Sequence, residues 1–295
     1  DALRGVAEAL EAAIHASERD DRAASILQLA ELAWRKLGDQ ALAERQFKRV
    51  RLADARNPSM LRFFAIRHEE SEDWRSLVTT LQHLASTTDD EQARDLMVRA
   101  AEVAEVRLEQ PAKAIDLWTA VLKRDPDDAR ARSAIRRLLR ATEKWNRLLE
   151  FLKDELTWLS EDDASGRIER YLEMVDIYEN RVDLPVLVGN TYKAILDIDP
   201  THEGAFEALS ARYAATGRTS DLIELLEQRL RAALPTQERV DLLRRIASLW
   251  RDEMDNPARA VDPLERLVAL DPHDEDALRA LETVYAQRGD DAKLL

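Results

Sequence analysis

Apolar residues in this chain recur every three or four positions, between charged and small polar residues. The segment 112–125 (AKAIDLWTAVLKRD) shows this spacing at Ala114, Leu117, Trp118 and Val121. Such a period places the apolar side chains on one face of an α-helix. No stretch keeps the period of two that marks a β-strand. The pattern therefore predicts an all-α protein.

Two sets of prolines recur at the same intervals of 74 and 72 residues. They are Pro126, Pro200 and Pro272, each preceded by aspartate, and Pro111, Pro185 and Pro257. Proline has no N–H and disfavours helix in the residue before it, so the first set predicts helix ends. The second set predicts first helical turns, where the missing N–H is not needed. Periodicity of this length is typical of helical-repeat proteins.

Each repeat divides into four predicted helices, which we call A, B, C and D. In the second repeat they fall within residues 90–108, 112–125, 127–144 and 145–159. The repeats are predicted at residues 1–20 (partial), 21–88, 89–162, 163–235 and 236–295 (partial), in one continuous domain over 1–295. Terminal repeats usually carry a polar capping face, and neither end shows one. We therefore expect an excerpt of a longer array or larger protein, with a complete domain as the alternative.

The A and B helices resemble the tetratricopeptide repeat (TPR), a helical hairpin of about 34 residues. The resemblance rests on small and large apolar positions followed by proline, which are Ala101, Ala114, Trp118 and Pro126 in one repeat and Ala247, Ala260, Leu264 and Pro272 in another. It implies a right-handed α-solenoid of antiparallel helical hairpins. Related arrays, such as half-a-TPR repeats, stay open as an alternative.

Composition narrows the class of function. The chain has no cysteine, which excludes disulfides, thiolate nucleophiles and Cys-ligated zinc. Its net charge of −14 argues against general nucleic-acid binding and favours basic partners. No apolar run is long enough to span a membrane. Abundant Ala and Arg favour a bacterial source, and we expect a cytoplasmic location, with the periplasm as the alternative.

The sequence predicts no catalytic, cofactor or metal site. The five histidines include no pair at the i, i+4 spacing of a helical metal site. The acidic clusters at 89–91, 161–163 and 273–276 lack the glycine and ligand pattern of a calcium loop. Each cluster precedes a predicted helix, so we expect helix capping there. No hydrolase, phosphate-loop or kinase motif is present, and we expect no enzymatic activity.

The TPR resemblance implies that ligands bind in a groove lined by the A helices. Its first row contains Glu31, Glu102 and Asp176, interrupted by Ser248, and its second row contains Trp34, Glu105, Glu179 and Arg251. A mostly acidic groove favours a basic peptide or protein, and Trp34 is a candidate aromatic anchor. For each residue the alternative is a solvated helix face.

We therefore predict a non-catalytic protein–protein interaction scaffold. The alternative is a regulatory or substrate-recruiting segment of a larger enzyme, such as a kinase or protease. No oligomeric state is predicted.

Overall fold

The computed structural model describes residues 2–16 and 19–288, and all regular secondary structure in these ranges is helical. The α-helices are α1 (Ala2–Ala16), α2 (Arg19–Leu32), α3 (Gln40–Ala53), α4 (Pro58–Glu70), α5 (Trp74–Ala85), α6 (Asp90–Val106), α7 (Pro111–Leu122), α8 (Ala129–Ala141), α9 (Trp145–Trp158), α10 (Ala164–Asn180), α11 (Pro185–Ile198), α12 (Glu203–Ala215), α13 (Thr219–Leu230), α14 (Thr236–Ser248), α15 (Pro257–Leu270) and α16 (Glu275–Arg288). A π-helical segment continues α2 at Ala33–Leu37, and another continues α14 at Leu249–Glu253. The predicted all-α class is confirmed.

The helices follow the predicted four-helix order. The A helices are α2, α6, α10 and α14; the B helices are α3, α7, α11 and α15; the C helices are α4, α8, α12 and α16; and the D helices are α5, α9 and α13, with α1 in the D position before the first A helix. Within each unit many helices that are consecutive in sequence pack against each other, as α6 does with α7 and α14 with α15. This is the packing of a helical-repeat protein built from hairpins. The handedness of the solenoid stays a prediction.

Packing divides the chain into two compact units, Asp1–Leu148 (unit 1) and Leu149–Leu295 (unit 2). In unit 1 the buried rings of Phe47 and Phe63 lie 4.9 Å apart within an apolar cluster. The cluster of unit 2 draws buried side chains from successive helices, among them Leu209, Leu226, Ile246 and Leu267. Each unit therefore has its own core. The predicted repeat boundaries and single continuous domain stay predictions.

The turn after every A helix contains a residue in the left-handed region of backbone space. These residues are Gly38 (φ 67°), Glu109 (φ 51°), Asp183 (φ 47°) and Asp255 (φ 46°). The next residue donates its N–H to a carbonyl six positions earlier; Gln110 N lies 3.0 Å from Ala104 O, for example. The repeat is therefore present in the backbone hydrogen bonding as well as in the sequence.

The turn after the C helix also contains a left-handed residue, at Glu72, Glu143 and Gly217. Its hydrogen bond is one residue shorter than that of the A-helix turn. Lys144 N donates to Leu139 O over 2.9 Å, a span of five positions. The two turn types thus distinguish the A–B hairpin from the C–D hairpin.

One proline set marks helix starts, as predicted, and so do the polar residues that follow the other set. Pro111, Pro185 and Pro257 are the first residues of three B helices. The C helices begin with a side-chain cap: Asp128 accepts from Ala131 N over 2.8 Å, His202 Nδ1 from Ala205 N over 3.1 Å, and Asp274 from Ala277 N over 2.9 Å. The phrase that repeats around each Asp-Pro pair is therefore a structural turn, with a cap for the helix that follows.

Candidate functional site

An open cleft of about 420 Å³ in unit 1, the Trp34 cleft, is lined by residues of two successive A-helix segments and of the C and D helices between them. Trp34 follows α2, Arg62 and Ile66 belong to α4, and Leu96 and Arg99 belong to α6. Ile66 is 45% exposed, so an apolar side chain is open to solvent at this cleft. The surface that the sequence analysis assigned to A helices alone is therefore shared with a C helix.

Trp34 contributes to the core of unit 1 and to the cleft at the same time. Its ring meets Phe47 and Phe63 edge-on, with centroids 6.0 Å and 5.7 Å away. The guanidinium of Arg35 lies 5.0 Å from the Trp34 ring centroid. These contacts hold the half-buried indole in place. Its predicted role as a binding anchor stays a prediction.

The predicted acidic residues of unit 1 are engaged by neighbouring helices. Glu102 forms an ion pair with Arg130 of α8. Glu105 lies 2.5 Å from Nη1 of Arg137 and accepts a hydrogen bond from Trp118 Nε1 over 3.3 Å. Their negative charges are thus largely compensated by α8. Two of the three predicted acids of unit 1 therefore form ion pairs between an A helix and the following C helix.

Glu31, the other predicted acid of unit 1, accepts a hydrogen bond from Ser59 Oγ of α4. This contact again joins an A helix to the following C helix. Since serine is neutral, the charge of Glu31 is not compensated by it. Glu31 therefore differs from Glu102 and Glu105 in keeping its charge available.

The predicted acids of unit 2 lie on an exposed face of α10. Asp176 accepts a hydrogen bond from Asn180 Nδ2 over 2.9 Å, and Glu179 lies 3.6 Å from Nη1 of Arg212. Leu172, which is 40% exposed, precedes Asp176 by one helical turn. Helical spacing places Leu172, Asp176 and Glu179 on one side of the helix, and we call this set the α10 face.

Arg251 lies in the π-helical segment that follows α14. Its guanidinium bonds to the neighbouring Asp252 with Nε 2.8 Å from Oδ1. This hydrogen bond raises the pKa of Arg251 and lowers the pKa of Asp252. Arg251 and Ser248 also line an open cleft of about 450 Å³ between α14 and α16. Arg251, the last residue of the second predicted row, is therefore paired with Asp252 of the same helical segment.

The predicted set divides between the two units. Glu31, Trp34, Glu102 and Glu105 belong to unit 1, and Asp176, Glu179 and Arg251 belong to unit 2. Sequence reasoning missed four C-helix arginines at these sites, which are Arg62 in the Trp34 cleft and Arg130, Arg137 and Arg212 beside the predicted acids. One signal could have revealed two of them: Arg130 and Arg137 are seven residues apart, or two helical turns, and both are exposed.

The net charge is unevenly distributed. Unit 1 contains equal numbers of acidic and basic residues, so the whole charge of −14 arises from unit 2. The negative electrostatic potential of the chain is therefore expected to arise mainly from unit 2.

The acidic clusters cap helices, as predicted. Asp89 accepts from Gln92 N at the start of α6, and Asp163 accepts from Gly166 N at the start of α10, each over 2.9 Å. Within residues 2–16 and 19–288, no group of three or more His, Cys, Asp or Glu side chains is arranged to hold a metal ion. Nor does any helix in these ranges combine the length and apolar character needed to cross a bilayer.

Comparison with known proteins gives structural neighbours only. No family model matches the chain, and no curated protein matches its sequence. The C-terminal part of a TPR repeat-containing protein from Cytophaga hutchinsonii aligns with a TM-score of 0.34 and 14% identity, covering 86% of this chain and 98% of the other. A tetratricopeptide repeat protein from Parabacteroides merdae gives 0.31 and 13%, covering 88% and 97%. YrrB, described as a TPR protein with an unusual peptide-binding site, gives 0.30 and 15%, covering 79% and 96%.

All three neighbours are described as TPR proteins, the family that the sequence resembles. The assignment of an all-α helical-repeat fold rests on the helix order and hairpin packing of the chain itself.

Proposed function

We propose that this chain is a non-catalytic protein-interaction scaffold whose α10 face docks a basic segment of a partner protein. The observation that carries the proposal is an exposed leucine beside two exposed carboxylates on one helix, which are Leu172, Asp176 and Glu179. A segment with an apolar residue flanked by lysine or arginine complements such a face in shape and in charge.

The charge distribution supports unit 2 as the docking unit. It holds the entire acidic surplus, which attracts basic partners over several ångströms of solvent. A basic partner at Glu102 or Glu105 must displace Arg130 or Arg137 from a close ion pair, whereas Arg212 is 3.6 Å from Glu179 and Asp176 bonds to the neutral amide of Asn180. The sequence predicted binding along an acidic groove, and this proposal restricts the binding surface to the α10 face.

The surroundings of these carboxylates favour binding over catalysis. Asp176 and Glu179 are exposed, and their contacts are with an amide at Asn180 and with Arg212. Catalytic carboxylates are usually set apart by desolvation and by close charged neighbours in a cleft. Two solvated carboxylates on a helix surface suit the recognition of positive charge.

A pair of designed peptides tests the proposal on the full chain. One peptide alternates leucine with lysine, and the second has glutamate in place of each lysine. We expect the basic peptide to bind, as followed by fluorescence anisotropy, and the acidic peptide not to bind. The double variant Asp176→Lys/Glu179→Lys should weaken binding of the basic peptide by about tenfold or more, since two attractive charges become repulsive.

The matched control is Glu8→Lys/Glu11→Lys in α1. These two glutamates are exposed and are three residues apart, as are Asp176 and Glu179, and the substitutions change the net charge equally. We expect this control to retain most of the affinity. Equal losses in the two double variants would mean that the peptide senses net charge alone, and the α10 face would then be the wrong site. Equal binding of both peptides would contradict a basic partner.

A further inference from the structure

A second cleft in unit 1, of about 460 Å³, lies on a different face of α4 from the Trp34 cleft. We call it the Arg51 cleft. Arg51 enters it from the end of α3, Phe64 and His68 from α4, and Arg75 and His83 from α5. A C helix, a D helix and the end of a B helix therefore form it, apart from the surface shared by the A and C helices.

The Arg51 cleft is cationic in a chain that is acidic as a whole. None of its eleven lining residues is acidic, whereas the Trp34 cleft includes Asp95. The guanidinium groups of Arg51 and Arg75 are exposed and form no hydrogen bond or ion pair with any residue that the structure describes. Two guanidinium groups whose N–H donors have no partner among the described residues are strong donors for an anion.

The remaining lining residues supply further donors and an apolar floor. The imidazole of His68 stacks on the ring of Phe64, with centroids 6.0 Å apart. His83 adds a second imidazole, and the buried side chains of Met60 and Leu61 lie beneath. The cleft thus presents four nitrogen-bearing side chains above an apolar surface.

The carboxylate of Asp73 lies at the edge of this region, 3.8 Å from His68 Nδ1. It is engaged as the cap of α5, where it accepts from Ser76 N over 3.1 Å. Hydrogen bonds from the Ser76 side chain and backbone lower the pKa of Asp73. His68 and Arg75 also lower this pKa through their charge, so Asp73 offsets part of the positive charge at the cleft edge. Asp73 forms no hydrogen bond with either arginine, so the N–H donors of both guanidinium groups stay available to a ligand.

We infer that the Arg51 cleft binds a phosphate monoester carried on an aromatic or other apolar body. A phosphate monoester offers three acceptor oxygens and nearly two negative charges, which match two guanidinium and two imidazole groups. A carboxylate has two oxygens and one charge, and so satisfies fewer of these donors. The apolar body rests on Phe64 and the floor beside it. This inference is independent of the proposed docking surface, which lies in unit 2.

Phenyl phosphate is a suitable probe, titrated into the full chain and followed by calorimetry at low salt. We expect saturable binding that weakens by about tenfold or more in Arg51→Gln and again in Arg75→Gln, because each loses a charge-assisted hydrogen bond. The control is Arg62→Gln on the other face of α4, which should bind as the unsubstituted chain does. Circular dichroism checks that each variant keeps its helical content.

Two further probes define the ligand class. Inorganic phosphate lacks the apolar body, and glucose 6-phosphate carries the monoester on a polar body; both should bind more weakly than phenyl phosphate. Equal binding of all three would overturn the assignment of an apolar carrier. The site itself is overturned if phenyl phosphate does not saturate at millimolar concentration, or if Arg62→Gln weakens binding as much as Arg51→Gln.

Discussion

The carboxylate of Glu155 in α9 lies 3.0 Å from Nε of Arg170 in α10, and Glu155 is only 1% exposed. Both residues belong to unit 2, where this contact joins a D helix to the next A helix. A buried charge is costly unless it is paired, so each partner depends on the other. The sequence carries a signal for this burial, because Glu155 lies between Leu152 and Leu156 on the apolar face of its helix.

Removal of this carboxylate should destabilise the protein strongly. The substitution Glu155→Ala leaves the guanidinium of Arg170 largely buried beside the exposed carboxylate of Glu169. We expect a loss of about 3 kcal/mol in the free energy of unfolding, measured by urea denaturation. Glu150→Ala, on an exposed position of the same helix, is the control and should change stability by less than about 0.5 kcal/mol. Similar losses in both variants would contradict a special role for the buried pair.

The fold was predictable because its signals are local. Ala114, Leu117, Trp118 and Val121 follow the helical period, and all four are buried. A proline or a capping side chain affects the backbone only within a few residues of its own position, so a repeat in sequence becomes a repeat in structure. The existence of the helices, their order and their inward faces therefore follow from the amino-acid sequence alone.

The site could be predicted only in part, because its contacts join helices. Glu102 and Arg130 are 28 residues apart, and Glu105 and Arg137 are 32 apart. Whether such residues meet depends on the axial register of packed helices, which no local pattern specifies. In a chain with 58 acidic and 44 basic residues, many pairings are compatible with the sequence. The sequence thus placed the acidic residues on the A helices, but it did not predict that C-helix arginines pair with two of them.

The left-handed turn positions offer a matched test of backbone strain. Glu143 and Gly217 occupy equivalent turns after C helices, with φ of 54° and 64°. A left-handed conformation is unfavourable for residues with a Cβ atom and costs glycine little. We expect Gly217→Ala to lower the free energy of unfolding by about 1 kcal/mol. Glu143→Gly should raise it by only about 0.5 kcal/mol, because the greater freedom of glycine in the unfolded chain offsets part of the relieved strain.

Thermal denaturation of the two turn variants checks these signs. Among the residues that the structure describes, no atom beyond Gly217 and its two chain neighbours lies within 4 Å of the position that a Cβ would take there. A loss of stability in this variant would therefore reflect the backbone conformation and not a steric clash. Opposite shifts in melting temperature support the interpretation. A fall in both variants would mean that the side chain of Glu143 contributes more than its backbone strain costs.

The cap of α16 should make stability depend on pH in the acid range. The backbone N–H of Ala277 and, after it, the guanidinium of Arg244 lower the pKa of Asp274. A carboxyl whose pKa is lower in the folded state stabilises the fold above its unfolded pKa of about 3.9. That contribution is lost as pH falls through the folded-state pKa. Asp274→Asn should therefore be less stable than the unsubstituted chain at pH 7, and the difference should shrink in strongly acidic solution.

Melting temperatures across this pH range separate the two contributions at Asp274. Arg244→Gln keeps the capping hydrogen bond but removes an ion pair whose nitrogen lies 2.7 Å from the carboxylate. It should reproduce only part of the pH-dependent difference, because the larger influence on the pKa is the hydrogen bond from Ala277. A difference that stays constant from pH 7 to strongly acidic solution would contradict a lowered pKa at Asp274.

Glu105 and Glu179 should respond differently to neutralisation, although the sequence placed them in one row. Glu105→Gln weakens contacts to both Arg137 and Trp118, so we expect a loss of about 1 kcal/mol in the free energy of unfolding. Glu179 is exposed and 3.6 Å from Arg212, so Glu179→Gln should cost less than about 0.5 kcal/mol. For binding of the leucine–lysine peptide the order should reverse, because only Glu179 lies on the α10 face. If Glu105→Gln weakens peptide binding as much as Glu179→Gln, the paired carboxylates of unit 1 take part in recognition, and docking is not confined to α10.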